Sequence, residues 1–367
     1  MKSRAYEHYS VLHKMPELAM HEYQTSTYIA QQLYAAGITV KKNINGSTGV
    51  IGIIPGKQTG PIIVLRADMD ALPYDINGNP YVKHGCGHDA NASMVLTAGE
   101  AIAKEGGLPR GELRLLFQPA EETLVGAKAI IASGEIYDAD IIVGIHLRPM
   151  EEAKLHEATP ALCHGASSML LTTIRGKNAH GARPHLGINA IDAAMLAINA
   201  VNAIHIDPKV PYSVKATRIQ SFGQANNTIP DCVKIWFDLR CQTQSGIVEL
   251  LGRVENALNH TVNGIGATCE SIEQVAWADA AEYDPELVQI AEESIKSILG
   301  STLPPMYTIG SEDFHFYHTL MGKRTVYIGL GADMTSGLHC PDMTFDPAAL
   351  DDGVAILTDF LKRACMK

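Results

Sequence analysis

The amino-acid sequence predicts an α/β protein with a mainly parallel sheet, into which a separate α+β domain is inserted. Short apolar runs alternate with helical patterns over the first 160 residues, an order typical of parallel sheets covered by helices. Residues 168–276 follow a different pattern, and the first pattern returns after residue 277. A chain of 367 residues also exceeds the length at which a single hydrophobic core stops growing.

The first part of the chain carries signals for both helices and strands. Residues 20–36 place Ile29, Leu33 and Ala36 at helical spacing and end at Gly37, which predicts a helix closed by a glycine. The runs GVIGIIPG, PIIVLRA, ELRLLFQP and ADIIVGIH are short and apolar, so we expect strands there. A helix is predicted directly after the segment HGCGHD, and a short one over GAKAIIASG.

The middle of the chain is predicted to form the inserted domain. SMLLTTIRG, YSVKATRIQ and CVKIWFDLR are typical of strands, whereas NAIDAAMLAINAVNAIH and GIVELLGRVENAL repeat the helical period. Two helices and about four strands fit one antiparallel α+β layer. We therefore predict one domain from 1–167 and 278–367, and a second domain over 168–277.

Composition and charge argue against several classes of function. The formal net charge is −11, and the 29 Lys and Arg residues form no basic stripe, which phosphate binding would need. No apolar run approaches the roughly 20 residues of a membrane span, and MKSRAYEHYS lacks the apolar stretch of a signal peptide. We therefore expect a cytoplasmic protein without a nucleic-acid or membrane partner.

Polar side chains follow several predicted strands at the points where those strands end. Ligands of open α/β sheets bind at the carboxyl ends of the strands, so we expect these side chains to share one site. They are Asp68 and Asp70, Glu121 and Glu122, His146, residues 311–313 and His339. Cys86, His88 and Asp89, at the start of a predicted helix, are expected to join them.

Cys86 and His88 are two residues apart, so in an extended segment both side chains project to the same side. A thiolate and an imidazole that face one point suit a borderline ion such as zinc, and Glu122 and other histidines would add to its coordination. The alternative is a helix start at which Asp89 caps the helix and Cys86 is buried. The spacing alone leaves both interpretations open.

Glu121 and Glu122 are neighbours at the end of a predicted strand. Two adjacent ionised carboxylates repel each other unless cations offset their charge. One carboxylate would then bind metal while the other acts as a general base in hydrolysis. A solvated acidic turn is the alternative for this pair, and a core histidine bonded to a backbone carbonyl is the alternative for His146.

Eight motifs occur in order along nearly the whole chain: RADMDALP, HGCGHD, FQPAEE, GIH, GKNAHGARPHLGINAIDA, NNTIPD, GSEDF and GLHCP. In this order and spacing they resemble subfamily D of the M20 peptidase family, with its bacterial N-acyl amino acid amidohydrolases, hippurate hydrolases and plant auxin-conjugate hydrolases. The short segment before HGCGHD is similar to that of AmhX-type amidohydrolases. The resemblance implies a metallohydrolase catalytic domain with an inserted α+β lid domain.

The resemblance also implies roles for residues of the catalytic domain. Two divalent metal ions would be bound, zinc or manganese first, with cobalt or nickel as alternatives. Glu121 would be the general base that takes a proton from the attacking water and delivers it to the leaving amine. Asp68 would orient a metal ligand from behind, while Arg66 stands where related subfamilies have His. The implied metal ligands are Cys86, His88, Glu122, His146 and His339.

Three residues of the lid domain match positions that contact substrate in the family. His180 would polarise the substrate carbonyl, either within its own subunit or from a neighbouring one. Asn227 and Arg240 would hold the substrate carboxylate, a task suited to the bidentate guanidinium, although a surface charge is the alternative for Arg240. A homodimer through the lid and closure of the lid over the catalytic domain are further implications.

The implied reaction is the metal-dependent hydrolysis of the amide bond of an N-acyl amino acid or a similar small amide. A metallo-dipeptidase or carboxypeptidase of the same family is the alternative. A nucleophilic hydrolase that uses Cys86 is disfavoured, because the sequence has no G-x-S-x-G elbow. Arg148 stands where the family often has an aromatic residue, which predicts a preference for an acidic acyl group or side chain.

Overall fold

The computed structural model describes residues 3–223, 225–308 and 310–367. It has a mixed α/β architecture with an inserted domain. The largest sheet is parallel in its centre, so the fold class predicted from the sequence is confirmed. In these three ranges no helix is both long enough and apolar enough to cross a membrane.

The chain divides into two compact units. The first unit contains the residues up to Cys163 together with Glu282–Met306 and Glu312–Lys367, and the second unit consists of His164–Ala281 and Tyr307–Ser311. The limits predicted for the inserted domain lie within the longer stretch of the second unit.

A seven-stranded sheet, counted over the described residues, forms the centre of the first unit. Its four middle strands run parallel to one another, and the outer strands are antiparallel to their neighbours. Most side chains of the middle strands are buried on both faces, which explains their nearly continuous apolar runs. In spatial order the strands are Thr39–Lys42, Val50–Pro55, Glu112–Gln118, Ile62–Asp68, Ile141–Pro149, Arg324–Met334 and Ala158–Thr159.

Four helices of the first unit contact one another in a single layer on this sheet. They are Arg4–Leu12, His88–Lys104, Pro285–Leu299 and Ala349–Ala364. Leu65 packs into the apolar core that this layer forms, whereas the next residue, Arg66, hydrogen-bonds to Asp313, as the alternation of side chains along a strand requires. Smaller elements complete the unit: Tyr23–Ala35, Gly126–Ser133, Phe316–Thr319, the 3₁₀ turns Ile44–Gly46 and Asp313–His315, and the hairpin of Leu72–Ile76 with Asn79–Lys83.

The helix Arg4–Leu12 has no counterpart in the elements predicted from the sequence. Its side chains buried in the fold are Ala5, His8 and Leu12, so a polar residue interrupts the apolar stripe by which a helix is recognised. His8 is accommodated by ring contacts with its neighbours: Nδ1 lies 2.9 Å from the hydroxyl of Tyr28 and Nε2 lies 3.1 Å from a carboxylate oxygen of Glu100.

A four-stranded antiparallel sheet covered by two helices forms the body of the second unit. Along Cys232–Cys241 the side chains alternate between buried and half-buried, the period of a strand with one face on a core. Phe237 and Val254 meet in that core. The strands are, in spatial order, Tyr212–Ser221, Cys232–Cys241, Ala166–Arg175 and Thr268–Ala278; the helices are Ala190–Asn202 and Gln244–Asn263; a short ladder joins Ala179–His180 to Thr228–Ile229.

Two glycines, one in each unit, test how closely the side chains around them are packed. A methyl group added at Gly144 would lie 2.4 Å from the ring of Tyr327, whereas at Gly252 it would meet no described heavy atom within 4 Å. We expect Gly144→Ala to lower the free energy of unfolding by about 1–3 kcal/mol because the ring must shift. Gly252→Ala, within a helix, should raise it by about 0.5–1 kcal/mol. Chemical denaturation followed by circular dichroism measures both, and equal effects of the two changes would contradict the packing described.

Candidate metal centre

The polar side chains at the strand ends meet in the first unit. Each of three overlapping groups has ligand atoms that lie within 4.8 Å of one another. The ligands implied by the sequence and the implied base are therefore brought together from strand ends, a helix start and a late loop, as expected for a site at the carboxyl edge of a sheet. The groups are Cys86 with His88 and His146, Cys86 with Glu122 and His339, and His88 with Glu121 and Glu122.

Hydrogen bonds turn one ring nitrogen of each buried histidine towards this cluster. Nδ1 of His88 lies 3.0 Å from the carbonyl oxygen and 3.2 Å from a carboxylate oxygen of Asp70. Nδ1 of His146 lies 2.7 Å from the carbonyl oxygen of Leu147. When either ring is neutral, its proton therefore stays on Nδ1, which leaves Nε2 as a lone-pair donor to a metal ion. Nε2 of His146 lies 3.7 Å from Sγ of Cys86.

Two buried atoms of the cluster have no hydrogen-bond partner among the residues that the structure describes, namely Nε2 of His88 and Oε1 of Glu122. These atoms are 3.8 Å apart, which is too far for a hydrogen bond and close enough for one cation to bind both. The other oxygen of Glu122 lies 3.4 Å from Nε2 of His339. Two buried lone pairs that face each other without a proton between them fit a metal ion better than a packed protein core.

Burial and mutual repulsion raise the free energy of the ionised thiol and carboxylate groups of the cluster when no cation is bound. Burial, with a smaller contribution from Glu122, raises the pKa of the Cys86 thiol well above its usual value. Burial, followed by the Glu312 and Glu122 carboxylates, likewise raises the pKa of Glu121. The repulsion between neighbouring glutamates that the sequence indicates is thus present, and bound cations would relieve it.

Asp70 holds both glutamates and a histidine of the cluster. Its carboxylate accepts hydrogen bonds of 3.1 Å from the backbone N–H of Glu121 and of 3.1 Å from that of Glu122, besides its contact with Nδ1 of His88. Second partners of this kind fix the direction of metal ligands. The D-x-D spacing of the motif RADMDALP was the available signal, but it does not say which aspartate takes this position.

Asp68, to which the resemblance assigned the orienting role, faces a different group. Its carboxylate accepts from Arg66 at 2.7 Å and from the amide of Asn91 at 2.9 Å, and it lies 3.9 Å from Nε2 of His88. The bond to Nδ1 of His88 comes from Asp70 instead. Residues two apart on a strand project to the same face. The side chain of Asp68 therefore lies beside that of Arg66.

Arg66 is completely buried behind the cluster. Burial disfavours ionisation of Asp68, but His88 and Arg66 hold its pKa well below the usual range. Burial raises the pKa of Asp313 to about 8, against the opposing effect of Arg66. Glu312 and Asp313 belong to the motif GSEDF, which predicts that they lie at the site but indicates no role for either residue. The partners of the guanidinium are Asp68 at 2.7 Å, Asp313 at 2.9 Å, Gln118 at 3.0 Å, Glu312 at 3.1 Å and the hydroxyl of Tyr327 at 3.1 Å.

Two of the predicted lid residues lie side by side in the second unit. His180 pairs with Thr228 in a short antiparallel ladder, and the N–H of Gly181 donates to the carbonyl oxygen of Asn227 at 2.7 Å. Nδ1 of His180 accepts a hydrogen bond of 3.1 Å from the N–H of Ala182. That bond places the ring proton on Nε2, which makes the exposed side of the ring a hydrogen-bond donor.

Arg240 and Arg148 are both engaged by carboxylates of their own unit. The Arg240 guanidinium lies 3.0 Å from Asp238 and donates to the hydroxyl of Ser311 at 2.8 Å. The Arg148 guanidinium, almost completely buried, lies 2.6 Å from Glu152. This pairing offsets part of the positive charge of Arg148. The predicted preference for acidic substrates is therefore less favoured, and it stays a prediction.

The fold and the site together define a class of protein, an α/β chain with an inserted domain that gathers thiol, imidazole and carboxylate groups at the carboxyl edge of its parallel sheet. The chain belongs to peptidase family M20/M25/M40, whose model matches residues 64–363. All of the implied ligands lie in that range. Membership makes the protein a hydrolase of amide bonds.

Known proteins are similar to this chain over most of its length. Thermostable carboxypeptidase 1 of Saccharolobus solfataricus is 30% identical over 319 residues, which cover 83% of this chain and 80% of that protein. Hippurate hydrolase of Campylobacter jejuni is 30% identical over 357 residues, 92% of this chain and 91% of that protein. The crystal structure of the Bacillus subtilis YXEP protein, described as a dinuclear metal-binding peptidase, matches with a TM-score of 0.85 at 24% identity over 99% of this chain and 98% of that chain.

Arg66 and Arg114 provide a matched test of charge burial. Arg66 is fully buried among three carboxylates, whereas Arg114 binds Glu112 and the exposed Asp138. We expect Arg66→Met to lower the free energy of unfolding by about 3–5 kcal/mol, because it leaves buried carboxylates without a cation. Arg114→Met should cost at most about 1 kcal/mol.

Denaturation at about pH 5 and about pH 8 supplies the control for this prediction. Burial raises the folded-state pKa of Asp313 against the opposing effect of Arg66. Removal of Arg66 should raise that pKa further above the unfolded value, and the resulting cost in stability grows as the pH rises. The deficit of Arg66→Met should therefore be larger at the higher pH. A deficit that is no larger than that of Arg114→Met at either pH would contradict the charge balance described.

Proposed function

We propose that this protein hydrolyses the amide bond of N-acyl amino acids, or of similar small amides, with two divalent metal ions in its site. One observation carries the proposal: the unpartnered atoms of His88 and Glu122 face each other beside a second buried carboxylate, that of Glu121. The relative named hippurate hydrolase supports an N-acyl amino acid as substrate, since hippurate is a glycine acylated on nitrogen.

The metal ions would be held by a mixed set of ligands. Such a set accepts zinc or manganese, and also cobalt or nickel, with availability deciding among them. When bound, these ions supply Lewis-acid polarisation of the scissile carbonyl and acidify water. The proposed ligands are Cys86, His88, Glu122, His146 and His339.

Glu121 is the proposed general base. One of its carboxylate oxygens lies 3.8 Å from Nε2 of His88, so the base stands at the edge of the ligand cluster. A carboxyl group whose pKa is raised by burial holds a proton more readily than an exposed one, which suits a group that must take and return one. Glu121 would remove a proton from the attacking water and deliver it to the nitrogen of the leaving amine.

His180 is proposed to stabilise the negative charge that develops on the carbonyl oxygen. Its Nε2 carries the proton because Nδ1 is an acceptor, and a neutral imidazole N–H is a suitable donor to an oxyanion. Asn227 and Arg240 are proposed to hold the carboxylate of the amino acid. A homodimer through the inserted domain and a location in the cytoplasm stay predictions from the sequence.

A carboxypeptidase is the second candidate function, because the Saccharolobus relative is a carboxypeptidase that is 30% identical to this chain. The two candidates use the same ligands, base and donor, and a peptide is itself an acylated amino acid. They differ in the group on the acyl side of the scissile bond. Substrates therefore separate the two candidates, whereas variants of the metal site do not.

A substrate panel tests the proposed function and the metal requirement together. Protein stripped with a chelator should release no amine from N-acetyl or N-benzoyl amino acids, and added zinc or manganese should restore the release, because the orphaned ligand atoms need a cation. Amine release is measured with and without each metal. Cleavage of peptides alone would favour the carboxypeptidase, and cleavage by the stripped protein would overturn the mechanism.

The neighbouring glutamates offer a test of their separate roles. Glu121→Gln should lower kcat by about 10²–10⁴-fold, because an amide cannot accept the proton, while zinc stoichiometry is unchanged. Glu122→Gln should instead weaken zinc binding. Steady-state kinetics and metal analysis on both variants check this assignment. Loss of zinc in Glu121→Gln, with zinc retained in Glu122→Gln, would reverse the two roles.

A further inference from the structure

The turn that carries Glu121 and Glu122 is held by buried carboxylates at three consecutive backbone N–H groups. Ala120 donates to a carboxylate oxygen of Glu22 at 2.9 Å. Glu121 and Glu122 donate to the two oxygens of Asp70. Because Asp70 also contacts His88, its part in the site is evident, whereas Glu22 comes from a distant N-terminal segment.

Ala120 has the left-handed backbone conformation, with φ of 55°, and is completely buried. Residues other than glycine rarely adopt this conformation, because Cβ approaches the carbonyl oxygen that follows. A buried N–H without an acceptor is also costly. The hydrogen bond to Glu22 therefore satisfies the N–H of Ala120, the residue that immediately precedes Glu121. It also offsets part of the cost of its left-handed conformation.

The Glu22 carboxylate is itself completely buried, and the bond from Ala120 is one of three hydrogen bonds that it accepts. It accepts a second backbone hydrogen bond from Met20 at 3.0 Å and a hydrogen bond from the hydroxyl of Thr48. Burying a carboxylate costs free energy unless it is well bonded, so a carboxylate enclosed at this position requires a reason beyond helix stability.

Helix capping does not supply that reason. Glu22 is the N-cap residue of the helix Tyr23–Ala35, yet within the described part of the chain its side chain makes no capping bond. Glu17 does so instead, since its carboxylate accepts from the N–H groups of Gln24 and Thr25 at 2.9 Å each. Glu17 thus stabilises the start of the helix, and the Glu22 side chain serves the turn.

We propose that Glu22 is a positioning residue for the metal centre, whose carboxylate keeps Ala120 left-handed and thereby directs the Glu121 and Glu122 side chains towards the ligand cluster. The inference rests on the proposed function, in which Glu122 binds metal and Glu121 is the base. Without this acceptor Ala120 would relax to an ordinary conformation, and the two glutamates that follow would rotate with the chain.

Three single variants test the proposal: Glu22→Ala, Glu22→Gln and the control Glu17→Ala. The first readout is the affinity of the metal-stripped protein for zinc, measured by competition with a chromogenic chelator. Glu22→Ala should weaken zinc binding by about 10–100-fold, the usual effect of losing a partner that orients ligands, and should lower kcat with KM nearly unchanged.

The conservative variant and the control separate positioning from general stability. Glu22→Gln should bind zinc like the parent, because its amide oxygen can accept from Ala120 and Met20 while its amide nitrogen donates to the Thr48 hydroxyl. Glu17→Ala should keep the parent zinc affinity and only lower the melting temperature, because the capping bonds do not reach the turn.

Several outcomes would overturn the proposal. One is parent-like zinc affinity in Glu22→Ala, and another is an equal loss in Glu17→Ala, which would assign the effect to the helix. Equal losses in Glu22→Gln and Glu22→Ala would assign it to charge. Should Glu22→Ala not fold, Glu22→Asp withdraws the carboxylate by one methylene, and parent-like zinc affinity in that variant would equally refute the role. If the parent cleaves no amide, the proposed function fails, while the zinc comparison still decides on Glu22.

Discussion

Compensation of buried negative charge is the constraint on which this structure depends. Carboxylates converge where the parallel strands end, and the single guanidinium of Arg66 contacts three of them, those of Asp68, Glu312 and Asp313. A buried arginine is favourable only when its partners are matched in number and direction. Burial, followed by the Glu312 and Glu122 carboxylates, raises the pKa of Glu121 on the other side of the cluster. The fold thus supplies Arg66 as a cation of its own, and bound ions would balance the negative charge that remains.

Geometry at the site is maintained by groups outside the proposed set of metal ligands. Asp70 and the carbonyl oxygen of Leu147 set the ring orientations of the two buried histidines. Asp70 and Glu22 together satisfy the backbone of the glutamate turn. Because these partners come from separate segments of the chain, the direction of each ligand is determined by tertiary structure, and local sequence preference contributes little to it.

The sequence predicts the parallel sheet and the inserted domain, because apolar runs that end in polar residues have a clear meaning in α/β folds. The set of ligands, by contrast, is what the family resemblance implies. The sequence does not separate Asp68 from Asp70, since both follow the same strand and only the position of Arg66 decides between them. The first helix is missed because His8 lies in its buried stripe. The hydrogen bond between Glu22 and Ala120 also cannot be predicted from the sequence, because no sequence pattern links two residues that are 98 positions apart.

The order of the ligands along the chain bears on how the protein matures during synthesis. His339 follows the last strand of the sheet, Arg324–Met334, which pairs with Ile141–Pro149 only after the whole inserted unit has been made. Such distant pairing is slow, because a long loop must close first. With His339 among the proposed ligands, a growing or truncated chain would lack the complete set of donors, and metal would stabilise the finished fold most. Metal loading would consequently act as a late checkpoint that distinguishes complete molecules from partial ones.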